Sequence, residues 1–279
     1  IEKSKSLEGI KVVIDCANGA SYISAPTILW ELGADVVQIG VSPNGLNVNK
    51  DCGSTDTSLL VHTVLKEKAD IGLALDGDGD RLIVCDEGGK IIDGDQILGL
   101  LALHLKSKQK LNNDTVVATT MSNLGLEKKL TENSVQLIRT SVGDRYIKEE
   151  IVKNNFSLGG EQSGHIIMKD YGSSGDGMVT ALQILSIFKD QSLPISQLLH
   201  VFDSVPQKLI NFNIANSEVL ELKETTDMLN SYKQDLADDG RIFVRMSGTE
   251  SVLRVMIECI NQNKLNKIET ELSAYFSKF

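Results

Sequence analysis

Short apolar runs alternate with stretches of helical periodicity along residues 7–200. β-Branched and apolar side chains predict strands at 11–15, 35–39 and 69–75. Helical spacing predicts one helix that ends near Leu32 and a second at 58–68. Gly33 follows the first helix, where a left-handed residue commonly ends a helix. Strands and helices that alternate in this way predict a parallel sheet.

The same alternation restarts after Asp95. Helices are predicted at 96–106, 124–132, 144–153 and 177–188, and strands at 115–119 and 135–140. After Pro206 the pattern changes to a strand from Lys208, a helix at 219–235, strands at 242–245 and 252–259 and a terminal helix. The chain is therefore predicted to be α/β, with two α/β domains of mixed or parallel sheets at 1–95 and 96–203 and a small α+β domain at 204–279.

Composition narrows the classes of protein and partner. Of the 279 residues, 41% are hydrophobic and 24% are charged, which is ordinary for a globular protein. A formal net charge of −10 argues against a nucleic-acid surface or an anionic membrane. The longest apolar stretch, 97–105, is well short of the ~20 residues that cross a bilayer. We expect no nucleic-acid partner and no membrane partner.

The spacing of the cysteines and the composition of residues 1–5 indicate a cellular location for the protein. Cys16, Cys52, Cys85 and Cys259 form no C-x-x-C pair, so neither a zinc site nor a disulfide framework is predicted. Residues 1–5 lack the apolar core of a secretory signal. The expectation is a protein of the reducing cytoplasm.

An acidic loop follows the third predicted strand. Asp76, Asp78 and Asp80 alternate with glycines, which let three carboxylates face one hard cation such as Mg²⁺. A solvated acidic turn is the plain alternative. A calcium loop of the EF-hand type is a second, but Arg81 stands where that template requires glycine, and the flanking runs predict strands rather than helices.

Two further polar segments carry candidate binding residues. Glycines around Gly160 allow close backbone approach, so Glu161, Ser163 and His165 could contact sugar hydroxyls, although a polar turn has the same composition. Near the end of the chain a second segment could bind phosphate, with guanidinium groups and a nest of hydroxyl and backbone donors. Its candidate residues are Arg245, Ser247, Gly248, Thr249 and Arg254. A hairpin with surface arginines is an equally plain interpretation, and Arg145, at a predicted helix start, has a weaker claim.

The three segments occur in the order found in the α-D-phosphohexomutase superfamily, which the chain resembles over nearly its whole length. Fragments such as Cys52-Gly53-Ser54-Thr55 and Val142-Gly143-Asp144-Arg145-Tyr146 are most similar to those of the bacterial phosphoglucosamine mutases within that superfamily. The resemblance implies interconversion of glucosamine 6-phosphate and glucosamine 1-phosphate, on the route to the cell-wall precursor UDP-N-acetylglucosamine. It also implies Mg²⁺, a phosphoserine and a four-domain protein.

The resemblance assigns a role to each candidate residue. It implies that Asp76, Asp78 and Asp80 hold Mg²⁺ and that Arg81 helps to neutralise the phosphoryl group during transfer. Glu161 and Ser163, with Gly160, His165 and Arg145, are expected around the sugar. The arginine segment is expected to hold the phosphate that is not reacting.

Two departures from the family pattern modify these expectations. Met246 and Ser251 replace two prolines of the usual phosphate loop, which predicts a more flexible loop. The chain also contains no segment that resembles the phosphoserine loop, so we expect it to need the N-terminal domain of the same protein as a partner. A homodimer is a candidate assembly. Phosphomannomutase or phosphoglucomutase activity, or a non-catalytic module that binds sugar phosphate or a divalent cation, are the alternatives.

Overall fold

The computed structural model describes residues 6–191, 193–214, 217–247 and 252–279. The chain divides into two compact units. The first comprises Ile1–Ser122 and Leu126–Phe202, and the second comprises Asn123–Gly125 and Asp203–Phe279. The first unit contains two separate β-sheets, so the three-domain division expected from the sequence stays a prediction.

The first sheet is mixed, with three parallel strands and two antiparallel ones. Its strands are β1 Lys11–Asp15, β2 Asp35–Ile39, β3 Ile71–Leu75, β4 Leu82–Asp86 and β5 Ile91–Ile92. They lie in the order β2-β1-β3-β4-β5, and β4 and β5 are the antiparallel members. Helices α1 Ser24–Glu31 and α2 Ser58–Glu67 connect the parallel strands. The predicted strand–helix alternation is confirmed, and Gly33 has a φ of 93°.

The second sheet repeats this arrangement. Its strands are β6 Thr115–Thr119, β7 Gln136–Thr140, β8 Leu158–Gly160 and β9 Ile166–Met168. Their order is β7-β6-β8-β9, with β9 antiparallel, which matches the first four strands of the first sheet. The associated helices are α3 Gly94–Ser107, α4 Leu124–Glu132, α5 Asp144–Asn154, α6 Gly177–Gln191 and α7 Ile195–Leu198. Helix α3 begins before the predicted boundary at residue 95, because the side chain of Asp93 caps it by accepting from the Gln96 amide.

Burial explains the strongly apolar runs. All five positions of β3 and all five of β4 are buried, as expected for central strands covered on both faces. Outer strands β2 and β7 are only partly buried. One hydrophobic core extends from the first sheet through α3 and α6 to the second sheet. The two sheets therefore form one folded body.

The second unit is a small α+β structure with its own core. Antiparallel strands β10 Gln207–Phe212, β11 Gly240–Met246 and β12 Leu253–Cys259 pack against helices α8 Lys223–Leu236 and α9 Gln262–Phe276. The helix predicted to begin at residue 219 begins later, after a 3-10 turn at Ser217–Leu220. The prediction differs because Leu222 has an extended backbone, while Val219 packs into the core from the turn. Within the described residues, no helix is long and apolar enough to cross a membrane.

Candidate active site

The acidic loop joins β3 to the antiparallel strand β4. Asp76 is buried, Asp80 is half-buried and Asp78 is exposed. One possible ligand atom from each of the three lies within 4.8 Å of the others. Three carboxylates converge at this distance without strong mutual repulsion when a cation lies among them, and carboxylate oxygens are the ligands that Mg²⁺ and Ca²⁺ prefer. The donor set therefore fits a hard divalent cation.

Backbone hydrogen bonds hold this loop on two sides. The Ala20 amide donates to the Gly77 carbonyl at 2.8 Å, and the Gly177 amide donates to the Gly79 carbonyl at 2.9 Å. A Cβ at Gly19 would lie 2.2 Å from the Gly77 oxygen, so only glycine permits this approach. Sequence reasoning missed Gly19 and Gly177, because nothing in the local pattern shows which distant loop a glycine faces.

Arg81 lies against the carboxylates that precede it. Its amide donates to Asp76 Oδ1 at 3.2 Å, and its Nε is 3.6 Å from Asp76 Oδ2 and 3.9 Å from Asp80 Oδ1. With 43% of its side chain accessible, the guanidinium can both offset the charge of the loop and meet an anionic ligand.

Residues 161–165, which we call the sugar loop after the ligand predicted from the sequence, form the tight connection between β8 and β9. Gly160 is the last residue of β8, and the backbones of Glu161 and His165 pair across the turn. The Glu161 carboxylate accepts from the Gly143 amide at 3.1 Å and from Ser163 Oγ at 3.4 Å. Ser163 is exposed and Glu161 half-buried. The predicted pair is thus brought together, and Gly143, which precedes α5, supplies a contact that the sequence did not suggest.

The acidic loop and the sugar loop lie side by side. The Leu82 amide donates to the Gly164 carbonyl at 3.1 Å, and Arg81 forms an isolated antiparallel bridge with His165. A Cβ at Gly164 would lie 2.2 Å from the Leu82 carbonyl oxygen. The two loops, from two different sheets, therefore share backbone pairing.

His165 is almost fully buried, with 3% of its side chain exposed. Its Nδ1 is 3.1 Å from Asp80 Oδ2, and its Nε2 accepts from the Gly175 amide at 3.1 Å. Both ring nitrogens are engaged by protein groups. The contact with sugar predicted for His165 stays a prediction, and the observed contact is with a candidate metal ligand.

Arg145 lies in the first turn of α5 and points along the helix surface. Its Nε is 2.7 Å from Glu149 Oε1, and 79% of its side chain is exposed. The hydrogen bond and charge of Glu149 raise the pKa of Arg145 above its ordinary value. The structure pairs Arg145 with Glu149 rather than with the sugar loop.

The candidate phosphate-binding residues belong to the second compact unit. Arg245 on β11 and Arg254 on β12 are direct cross-strand partners, and both are half-buried. Like charges that face one another across strands are destabilising unless an anion or another partner offsets them. The Ser247 amide donates to the Val252 carbonyl at 2.8 Å. Gly248 and Thr249 lie outside the described residues.

Three family models match consecutive parts of the chain. They describe phosphoglucomutase/phosphomannomutase alpha/beta/alpha domain II at residues 1–89, alpha/beta/alpha domain III at 93–205 and the C-terminal domain at 209–274. The chain belongs to the phosphoglucomutase/phosphomannomutase family, and the family resemblance seen in the sequence is confirmed.

Curated relatives narrow the likeness to one branch of the family. The chain is 47% identical to the phosphoglucosamine mutase of Parvibaculum lavamentivorans, over 98% of this chain and 61% of the relative. It is 49% identical to that of Nitrobacter winogradskyi, over 92% of this chain and 58% of the relative. The chain thus spans about three fifths of the length of these relatives.

Solved structures agree with the fold. A phosphoglucomutase/phosphomannomutase family protein from Burkholderia thailandensis has a TM-score of 0.77 at 22% identity, covering 95% of this chain and 59% of that one. Aspergillus fumigatus N-acetylphosphoglucosamine mutase in complex with GlcNAc-6P and magnesium has a TM-score of 0.71 at 20% identity, covering 95% and 65%. At such identities the likeness shows the fold alone.

Proposed function

We propose that this chain supplies the metal-, sugar- and phosphate-binding parts of a phosphohexose mutase that interconverts glucosamine 6-phosphate and glucosamine 1-phosphate. The observation that carries the proposal is the backbone pairing of the acidic loop with the sugar loop, which places a cation site beside a carboxylate and hydroxyl suited to a sugar. The phosphoglucosamine mutases among the relatives support glucosamine over mannose or glucose.

Mg²⁺ fits the acidic loop, where Asp76, Asp78 and Asp80 would hold it. A bound Mg²⁺ offsets charge on a phosphoryl group during transfer. Arg81, which faces the same carboxylates, would contact the phosphoryl oxygens. In this proposal Arg81 is the catalytic residue that this chain provides, because the phosphoryl donor is a phosphoserine in another domain.

The remaining residues position the substrate. Glu161 and Ser163 would hold sugar hydroxyls beside Gly160, with His165 of the same loop and Arg145 of α5 as further candidate contacts. The distal phosphate would be held by Arg245, Ser247, Gly248, Thr249 and Arg254. The phosphoserine gives its phosphoryl group to the free sugar oxygen, which forms a bisphosphate and a free serine. After the bisphosphate has reoriented in the site, its other phosphoryl group is transferred to the serine.

The proposal also covers the domains, the cellular location and the assembly of the enzyme. We assign domains at 1–95, 96–203 and 204–279, and the matches to domains II and III and to the C-terminal domain support a role for an N-terminal domain I as partner. The substrate is a phosphosugar, so a cytoplasmic enzyme is proposed, with a homodimer as a candidate assembly. We propose no partner among nucleic acids or membranes.

Calorimetry and phosphorus NMR test this proposal on the chain itself. With Mg²⁺ present, glucosamine 6-phosphate should bind more tightly than mannose 6-phosphate, glucose 6-phosphate or free glucosamine. With glucosamine 1,6-bisphosphate added, the chain alone should show no turnover, because phosphoryl transfer requires donor and acceptor in line. Failure of every phosphosugar to bind would reject the proposed function. Turnover comparable to that of a full-length phosphoglucosamine mutase would reject the role of a separate phosphoserine domain.

A further inference from the structure

The buried imidazole of His165 lies between two protein groups of opposite character. Its Nε2 faces the Gly175 amide at 3.1 Å, and its Nδ1 faces Asp80 Oδ2 at 3.1 Å. The Gly175 backbone lies so close to the ring that an added Cβ would be 2.5 Å from it. The ring is therefore closely packed on that side.

These two contacts determine which nitrogen carries the proton. A backbone amide can only donate, so Nε2 must present its lone pair to Gly175. The ring proton is therefore on Nδ1, which lies 3.1 Å from Asp80 Oδ2. The hydrogen bond from Gly175 thus directs Nδ1 of the ring, rather than Nε2, toward Asp80.

The two carboxylate oxygens of Asp80 have different neighbours. Its Oδ2 lies 3.1 Å from the imidazole Nδ1, while its Oδ1 is 3.9 Å from Arg81 Nε, beyond hydrogen-bond distance. A carboxylate with one oxygen held by a neighbouring group presents its other oxygen in a defined direction. Groups that orient metal ligands in this way commonly affect metal affinity as much as some ligands do.

We propose that His165 is a positioning residue for the metal site. Through its Nδ1, it orients Asp80 toward a divalent cation, so that a residue of the sugar loop supports the metal ligands of the acidic loop. This inference rests on the proposed metal site, and it concerns the metal-binding step alone. It assigns His165 a role that requires no contact with sugar.

Metal affinity of the chain, measured with Mn²⁺ by electron paramagnetic resonance and with Mg²⁺ by calorimetry, tests the proposal. His165→Leu should weaken affinity by about 10-fold or more, because Asp80 loses its donor. His165→Asn, whose amide can replace Nδ1–H, should stay within about 3-fold of the original affinity, since it keeps a neutral donor. In a variant that already carries Asp80→Asn, His165→Leu should cause no further loss of metal affinity. The control is His62→Leu on the exposed side of α2.

The outcomes separate this inference from the proposed metal site. If Asp78→Asn weakens metal binding but neither His165 variant does, the positioning role is rejected and the site stands. If Asp78→Asn has no effect, the site itself is rejected. Nitrogen NMR with ring-labelled histidine gives a reading that does not depend on the Leu variant folding. A signal from His165 with the proton on Nδ1 is expected, and one with the proton on Nε2 would overturn the assignment.

Discussion

The two α/β sheets of the first unit share one strand order but carry loops of different chemistry. In each sheet a connection leaves the third parallel strand and enters an antiparallel strand. In the first sheet this connection is the acidic loop, with three carboxylates. In the second it is the sugar loop, with a carboxylate, a hydroxyl and an imidazole. The scaffold therefore fixes where a loop lies, and the loop residues decide what it can bind.

The two loops are also held in similar ways. A glycine at the first position of a long helix donates its amide to a carbonyl of each loop: Gly177 of α6 donates to Gly79 at 2.9 Å, and Gly94 of α3 donates to Gln162 at 2.9 Å. The first amides of a helix have no partner within the helix. A Cβ at Gly94 would lie 2.1 Å from the Glu161 oxygen and one at Gly177 would lie 2.4 Å from the Arg81 oxygen. The first amide of a helix thus holds the acidic loop in one sheet and the sugar loop in the other.

The largest expected effect follows from removing the contact between the loops. Gly164→Ala should lower the free energy of unfolding by about 3–4 kcal/mol, since it adds strain at a positive φ to a collision with backbone. Gly164 has a φ of 92° and Leu82 O lies 2.2 Å from the added Cβ. The measurement is urea unfolding of the chain.

Gly9→Ala is the matched control for this variant. Gly9 has a φ of 84° and no atom within 4 Å of an added Cβ, so only the backbone strain of about 1–2 kcal/mol should remain. Equal losses for the two variants would show that the contact between the loops adds nothing to stability.

The second-largest effect is expected in phosphate binding by the C-terminal unit. Arg245→Ala should weaken binding of glucosamine 6-phosphate by about 1.5–3 kcal/mol, the scale of a lost charge-assisted contact with phosphate. Mg²⁺ affinity should not change. Calorimetry checks both, with Lys267→Ala, an exposed cation of the same unit, as control. An equal loss for free glucosamine would exclude phosphate recognition as the cause.

A third variant acts on the acidic loop alone. Asp78→Asn should weaken Mg²⁺ binding by about 10-fold, which is ~1.4 kcal/mol, because one charged ligand is lost. Asp78 is exposed, so stability should be nearly unchanged. Calorimetry with Asp35→Asn, at the exposed start of β2, as control measures the difference. Unchanged affinity would show that Asp78 of the acidic loop does not bind the metal.

The smallest effect is expected in the sugar loop. Glu161→Gln keeps an oxygen for the Gly143 amide but loses the charge, so glucosamine 6-phosphate should bind about 1 kcal/mol more weakly. Mg²⁺ affinity should be unchanged, and calorimetry measures both. A parallel loss of Mg²⁺ affinity would show that the charge of Glu161 also acts on the metal site.

Much of the fold follows from local pattern. Strands β1, β2 and β6 begin and end where apolar β-branched runs do, because burial in a sheet requires that pattern. The predicted start of α8 was wrong, because the sequence pattern does not distinguish a 3-10 turn that buries Val219 from a first helical turn. Local pattern thus identifies elements more surely than their ends.

The candidate site was predicted as separate segments rather than as an arrangement. Asp76, Asp78 and Asp80 were identified from their spacing, and their convergence agrees with that interpretation. The contact of His165 with Asp80 could not be predicted, because it depends on how two sheets pack and not on neighbours in the chain. Gly143 was missed as a partner of Glu161 because the two residues follow β7 and β8, and local pattern does not give the order of strands in a sheet.

The hydrogen bond between the Leu82 amide and the Gly164 carbonyl has a consequence for folding kinetics. Its two residues are far apart in the chain, so closing the loop between them is entropically unfavourable until other contacts have formed. Each sheet can assemble from nearer strands, whereas this bond requires both sheets. The paired loops should therefore reach their final conformation late in folding. A metal-sensitive signal during refolding would then rise after the secondary structure has formed.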